Sequence, residues 1–185
     1  MKLYLDTAND DFVLAAFDDN FNLKYSKVLQ KYQKKVELIP LSVTEMLDEL
    51  NAKISDFDEF YTNLGPGYFT GVRISLVYLR TIATIKKIKI FTISTMQILS
   101  HQNKNKNAFY INAKGEKYFE YIATKAQFDP NQITCKTGIK ENYDSVNYEE
   151  FLNNFKNYKQ LFAGYDDLNK IEPYYIKMPQ IGVKK

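Results

Sequence analysis

The chain has one cysteine, Cys135, one histidine, His101, no tryptophan, and only two arginines, Arg73 and Arg80, among 25 basic residues. Each shortage excludes something. A lone cysteine rules out an internal disulfide and a zinc site of the usual Cys type. A lone histidine rules out a metal site built from several imidazoles. A Ser-His-Asp hydrolase has no support, because there is no G-x-S-x-G elbow. No apolar run is long enough to span a bilayer, and Met1-Lys2-Leu3-Tyr4-Leu5-Asp6 is too short an apolar stretch for a signal peptide, so the expected location is the cytoplasm. Lysine is less suited than arginine to bidentate clamping of phosphate or carboxylate. The net charge of +3 does not by itself argue for nucleic acid. Lys104, Lys106, Lys184 and Lys185 are scattered, and no aromatic stacking platform is identifiable beside them.

What is present is an ordinary core for 185 residues, 45% of them hydrophobic, enough for one domain or two small lobes. Lys2 to Leu5, Phe12 to Phe17 and Leu23 to Leu29 read as three strands joined by the turns Ala8-Asn9-Asp10-Asp11 and Asp18-Asp19-Asn20. Leu38, Ile39, Val43, Met46, Leu47, Leu50 and Ile54 recur at helical spacing, with Pro40 in the first turn. Glu59 to Leu64 is a strand, Gly71 to Lys87 a helix and Lys89 to Ile93 a strand. The order β-β-β-α-β-α-β predicts a mixed α/β sheet flanked by helices and resembles the ribonuclease-H-like core of the actin and Hsp70-ATPase type. The second half repeats the pattern in shortened form. Ala108 to Ala113 and Lys117 to Lys125 form a hairpin, Ile133 to Lys136 a third strand, Tyr148 to Tyr158 a helix and Gln160 to Ala163 a strand. Asp166 to Glu172 leaves room for at most two helical turns. The expected division is a first lobe over 1–102, a junction at Asn103 to Asn107, and a shortened second lobe with a C-terminal tail over 108–185.

The densest signal is Gly65-Pro66-Gly67-Tyr68-Phe69-Thr70-Gly71-Val72-Arg73-Ile74-Ser75. Three glycines and a proline make a bare turn that admits close approach to the backbone, and Thr70 suits an N-cap. It is neither a Walker P-loop nor G-x-G-x-x-G. The helix that follows carries two apolar stripes, Val72, Leu76, Leu79 and Ala83 on one side and Ile74, Tyr78, Ile82 and Ile85 on another, with Val77 nearby. Arg73, Arg80 and Thr84 share a third face. A surface helix needs one stripe. A second is either buried within the fold or offered to another protein.

Asp6-Thr7 lies where ribonuclease-H-like proteins place their first functional carboxylate. Glu45, Asp48 or Glu49 could add a second, but the end of the fourth strand carries Asn63, where a two-metal nuclease needs another acid. The turn after Asp6 lacks glycine and carries Asp10 and Asp11, which repel a triphosphate. Asp6 therefore reads as a turn residue accepting from nearby N–H groups, His101 as an exposed junction residue and Cys135 as a small core residue.

The glycine turn resembles the G-P-G-S-F-T-G-[L/V]-R-I signature of the TsaB (YeaZ) family, through Gly65, Pro66, Gly67, Phe69, Thr70, Gly71 and Arg73. Weaker matches follow in order at Asp6-Thr7-Ala8, Leu38-Ile39-Pro40, Ile93-Ser94-Thr95-Met96, Asn112-Ala113-Lys114 through Tyr118, and Pro173-Tyr174-Tyr175-Ile176-Lys177. Tyr68 stands for the usual Ser, Asn112 for Asp, and Lys114 and Lys177 for Arg. The resemblance implies a non-catalytic scaffold in the machinery that forms N6-threonylcarbamoyladenosine (t6A) at position 37 of tRNA. It implies pairing with a catalytic TsaD-like subunit, a TsaE-like ATPase in the same complex, a homodimer when alone, contact with tRNA through the complex, and no membrane. No catalytic, metal or cofactor-binding residue is implied in this chain, although a nucleotide could lie at the interface with partners. Val43, Met46, Leu47 and Leu50 on the first helix and Leu76, Leu79, Arg80 and Ala83 on the second are the expected partner surface. The alternative is a free-standing ribonuclease-H-like enzyme, either a kinase or a metal-dependent nuclease.

Overall fold

The computed structural model describes residues 1–124 and 127–176. Lys125 and the expected tail from Lys177 through Lys184-Lys185 lie outside the described residues. Nine strands and five α-helices are described, in two sheets.

The first sheet holds β1 (Lys2–Asp6), β2 (Phe12–Phe17), β3 (Leu23–Leu29), β4 (Glu59–Asn63), β5 (Lys89–Ile93) and β9 (Ala163–Gly164) in the order β3-β2-β1-β4-β5-β9. β1 is antiparallel to β2 and parallel to β4, and β4 is parallel to β5. The parallel pair β4 and β5 requires a crossover, supplied by α2 (Phe69–Lys86). All of β1 and β2 is buried, as expected of strands covered on both faces. On one face α1 (Lys35–Glu49) and α2 pack over Leu3, Leu5, Phe60 and Ile90, and the C-terminal segment adds Ile171 and Tyr174. On the other face lie α4 (Tyr148–Asn153) and α5 (Phe155–Tyr158), whose Phe151, Leu152 and Phe155 cover Tyr4, Val13, Phe17 and Tyr61. The second sheet is β6 (Ala108–Asn112), β7 (Lys117–Ile122) and β8 (Thr134–Thr137), all antiparallel. One face is closed by α3 (Thr95–Gln102), through Met96 and Leu99 against Phe109 and Phe119.

Several expectations are corrected. α1 begins at Lys35, so Pro40 lies within it and not in its first turn. Pro40 is exposed, and water can reach the carbonyl that loses its donor. Ile54 is not on α1 but in a separate 3-10 turn. α2 starts from Tyr68 as N-cap, not Thr70, and no side chain caps it. The helix expected over Tyr148 to Tyr158 breaks at Asn154, whose side-chain amide donates to the Glu150 carbonyl at 3.1 Å. Gln160 to Leu161 belong to a 3-10 turn, and the strand that follows is only Ala163–Gly164. That strand pairs with β5, so α4, α5 and β9, expected in the second lobe, are built onto the first sheet. The chain does leave the first sheet through Asn103 to Asn107, but it returns at Tyr148. The residues from Asp166 to Glu172 contain one 3-10 turn, Leu168–Lys170.

Candidate functional site

The ends of β1, β4 and β5 meet the glycine turn, and Asp6 sits at their centre. Its side chain is buried. One oxygen, Oδ2, accepts from the Tyr4 hydroxyl at 2.8 Å, the Tyr148 hydroxyl at 2.8 Å and the Asn63 Nδ2 at 2.9 Å. The other, Oδ1, accepts from the Ala8 N–H at 2.8 Å. A buried carboxylate is tolerable only when hydrogen-bonded, and four neutral donors meet that need. Burial, followed by the charge on Asp6, holds the Tyr4 and Tyr148 hydroxyls well above the usual phenol range. Asn63, where a nuclease would carry an acid, here donates to Asp6. It also joins Thr95, whose hydroxyl lies 2.9 Å from its Nδ2.

The glycine turn presses on the β1–β2 turn. A Cβ on Gly67 would lie 2.2 Å from the Ala8 carbonyl oxygen, and one on Gly71 would lie 2.2 Å from that of Thr7. Only glycine fits at either position. The Tyr68 N–H donates to the Ala8 carbonyl at 2.7 Å, and the Thr7 hydroxyl donates to the Gly71 carbonyl at 2.6 Å. The Ser94 hydroxyl donates to the Gly65 carbonyl at 2.7 Å and so ties the start of α3 to the same turn. Of the backbone N–H groups in the two turns, that of Tyr68 is thus taken by the Ala8 carbonyl and that of Ala8 by Asp6. The Lys35 ammonium, buried at the start of α1, donates to the Thr7 and Asn9 carbonyls, and burial lowers its pKa. Beside it a cleft of about 520 Å³ is lined by Asn9, Lys31, Tyr32, Lys35, Tyr68 and Lys114, among others. Tyr68 crosses toward Asp10, its hydroxyl 2.9 Å from either carboxylate oxygen, and the Lys114 ammonium lies 3.9 Å from its ring centre.

The other acids remain apart. Glu45, Asp48 and Glu49 are exposed on α1, and Glu45 pairs with Lys27 of β3. Among the described residues no cluster of three or more His, Cys, Asp or Glu side chains could hold a metal ion. His101 is not an exposed junction residue. It is half-buried in α3, 4.5 Å from the Tyr158 ring, and burial, then Lys104, lowers its pKa. Cys135 is partly buried against the second sheet's core. Sequence reasoning missed Tyr4, Lys35 and Tyr148. Tyr148 is 142 residues from Asp6, and no local pattern signals such a contact. For the start of α3 a signal existed, since Ser94 and Gln97 form the S-x-x-Q capping box.

The expected partner surface is rearranged. Val43, Met46, Leu76, Leu79 and Ala83 are buried against their own sheet, and Leu47 and Leu50 pack at its edge. The five buried side chains have almost no surface to offer a partner, whereas Leu47 and Leu50 are half-buried. Periodicity distinguished the stripes of α2 but not which one faces the sheet. Arg80 turns inward, donating to the Ile171 carbonyl. Arg73 donates to the Tyr175 hydroxyl at 3.1 Å and lies 4.4 Å from the Phe69 ring centre. α1 exposes Val36 (58%) and Leu41 (67%) and α2 exposes Val77 (60%) and Ile85 (72%), while Ile74 and Tyr78 of α2 are half-buried and pack against the core.

A 3-2-1-4-5 sheet with its first carboxylate at the end of β1 and helices on both faces defines a ribonuclease-H-like protein of the actin/Hsp70 (ASKHA) class. The family described as TsaD, tRNA N6-adenosine threonylcarbamoyltransferase, matches residues 30–181. The tRNA threonylcarbamoyladenosine biosynthesis protein TsaB of Buchnera aphidicola subsp. Schizaphis graminum (strain Sg) is 32% identical over 129 residues, which cover 65% of this chain and 60% of that protein. Two solved structures share the fold. One, an uncharacterized Pseudomonas aeruginosa protein with similarity to the peptidase YEAZ, has a TM-score of 0.59 at 20% identity over 77% of this chain and 70% of its own. The other, YeaZ from Pseudomonas aeruginosa, has a TM-score of 0.55 at 18% identity over 77% and 71%. The chain belongs to the TsaB/YeaZ family of TsaD-type domains. No helix among the described residues is long and apolar enough to cross a membrane.

Proposed function

We propose that this chain is the non-catalytic scaffold subunit of a complex that forms N6-threonylcarbamoyladenosine at position 37 of tRNA, pairing with a catalytic TsaD-type subunit. The observation that carries the reading is the set of exposed aliphatic side chains on α1 and α2, Val36, Leu41, Val77 and Ile85. Aliphatic side chains more than half exposed on two helices in contact suit burial against a partner. The saturated Asp6 supports the same reading, because its carboxylate is engaged in holding the fold together. A TsaE-type ATPase joins the pair, tRNA is met within the assembly, and the same surface forms a homodimer when the chain is alone. The chain has no cofactor of its own in this reading, and a nucleotide belongs to the interface with the partners. The setting is the cytoplasm.

Two measurements test the proposal. Threonylcarbamoyl transfer reconstituted with and without this chain should depend on it, while the chain alone should neither hydrolyse ATP nor cleave nucleic acid. Val77→Glu and Ile85→Glu should abolish retention of the TsaD-type subunit in a pull-down without lowering the melting temperature, since both sites are exposed. Full retention by the double variant would overturn the assignment.

A further inference from the structure

The three-stranded sheet has a second face that neither the core nor the α1–α2 surface uses. Its inner face, Phe109, Ile111, Phe119, Tyr121 and Cys135, packs under α3. Strand alternation sends the intervening residues outward. The register then fixes a grid in which Asn112, Tyr118 and Lys136 form one row, and Tyr110, Glu120 and Thr134 the next. Tyr110 and Tyr118 are diagonal neighbours, ring centres 5.8 Å apart and nearly perpendicular. The Lys140 ammonium lies 4.2 Å from one ring centre and 4.8 Å from the other. Lys136 pairs with Glu120 beside them. Neither tyrosine belongs to a hydrophobic core cluster, and both are half-buried. The platform was invisible in the sequence because its two rings lie on different strands.

We infer that this face binds single-stranded RNA, with Tyr110 and Tyr118 as stacking rings and Lys140 as the phosphate contact. The choice of RNA as ligand rests on the function proposed above, in which the assembly handles tRNA. The chemistry of the face fits it. Unpaired bases stack on aromatic rings irrespective of sequence, and a cation beside each ring meets the adjoining phosphate. The carboxylates beside the rings are both engaged, Glu120 by Lys136 and Asp144 by Lys106 and the Tyr110 N–H, so the Lys140 ammonium is the group on this face that suits an anion. Lys140 rests on the rings through a cation–π contact weaker than base stacking. An incoming base displaces the ammonium from the ring faces and leaves it beside the nucleotide's phosphate. The face shares no residue with the α1–α2 surface.

The test is fluorescence anisotropy with a labelled RNA hairpin bearing an unpaired loop, and a fully paired RNA duplex as control, on the full chain alone and in complex with the TsaD-type subunit. The hairpin should bind more tightly than the duplex. The Tyr110→Ala/Tyr118→Ala double variant should weaken hairpin binding by about tenfold or more, while the Tyr110→Phe/Tyr118→Phe variant, which keeps the rings, should stay within about twofold. Lys140→Ala should reduce the slope of log affinity against log salt by about 0.7. The inference is overturned if the double alanine variant keeps its fold and binds like the parent, if the duplex binds as well as the hairpin, or if the parent binds neither alone nor in the complex. Retention of the TsaD-type subunit, followed separately, distinguishes the two proposals. Tyrosine-dependent binding without pairing would remove the scaffold reading and leave this one. Pairing with tyrosine-independent binding would do the reverse.

Discussion

Replacing Gly71 with alanine sets two effects against each other. Gly71 lies in the first turn of α2, where alanine should favour the helix by about 1 kcal/mol. Its backbone is not in the left-handed region, so conformational strain does not enter. Against that, the new Cβ would sit 2.2 Å from the Thr7 carbonyl oxygen and 3.1 Å from that of Ala8. Both neighbours are backbone, held by β1 on one side and Asp6 on the other, and they cannot swing away as a flexible side chain can. Relieving the overlap means separating the glycine turn from the β1–β2 turn. That stretches the Tyr68-to-Ala8 bond of 2.7 Å and the Thr7-to-Gly71 bond of 2.6 Å. Each buried polar group left unpaired costs about 1–3 kcal/mol. The net loss is therefore about 1–5 kcal/mol, a large share of the roughly 5–15 kcal/mol available to a domain. Urea unfolding followed by circular dichroism should show a lower midpoint, and thermal unfolding a melting temperature lower by about 3 °C per kcal/mol. Gly67→Ala, facing Ala8 at 2.2 Å, should behave alike. A Gly71→Ala protein as stable as the parent, or more so, would mean that helix propensity governs the site and that the two turns do not bear on each other.

Tyr4 and Tyr148 predict a loss of stability in alkali. Their folded pKa values are raised above the unfolded value near 10, so the stability they contribute is complete below that pH and is lost as pH rises above it. The decline should be about 1.4 kcal/mol per pH unit for each tyrosine, and Tyr148→Phe should make it shallower. Urea midpoints that stay level between about pH 9 and about pH 11 would contradict the buried hydrogen bonds. On α2, Leu79→Ala should cost about 2–5 kcal/mol because the side chain is fully buried. Val77→Ala, two residues away and 60% exposed, should change stability by no more than about 0.5 kcal/mol. Equal melting temperatures for these two variants would show that the sheet-facing stripe has been misassigned.

The parts of the fold legible in the sequence are those whose signal is local. β5 reads off as Lys89 to Ile93 because a β-branched apolar run is bounded on both sides, and the β6–β7 hairpin reads off because Lys114-Gly115-Glu116 turns it. The start of α1 at Lys35 is not legible because Lys34 to Glu37 carries no apolar period, while Pro40 has the character of a first-turn residue. β9 has only two ladder pairs, Phe91 with Gly164 and Thr92 with Ala163, too few to leave a periodic trace. The spacing of Phe151, Leu152 and Phe155 says that one side of this segment is buried. It does not say that the first sheet, and not the second, buries it. The same limit applies to α2, whose two stripes are plain in the sequence although their assignment to sheet and solvent depends on tertiary packing.

The candidate site and the proposed partner surface are joined by one element. The signature glycines leave the backbone bare enough to seat on Thr7 and Ala8, and Asp6, gripped by Tyr4, Asn63 and Tyr148, keeps those residues where they are. The seat fixes the N-terminus of α2, and Arg80, donating to the Ile171 carbonyl, holds its middle. A helix held at both points presents Val77 and Ile85 in one orientation. Binding then does not carry the entropic cost of ordering the helix at the moment of encounter. A carboxylate at the end of β1 can serve as a chemical group only if its oxygens are available to a substrate or an ion. With four protein donors around it, Asp6 serves to keep the glycine turn, and through it α2, in place.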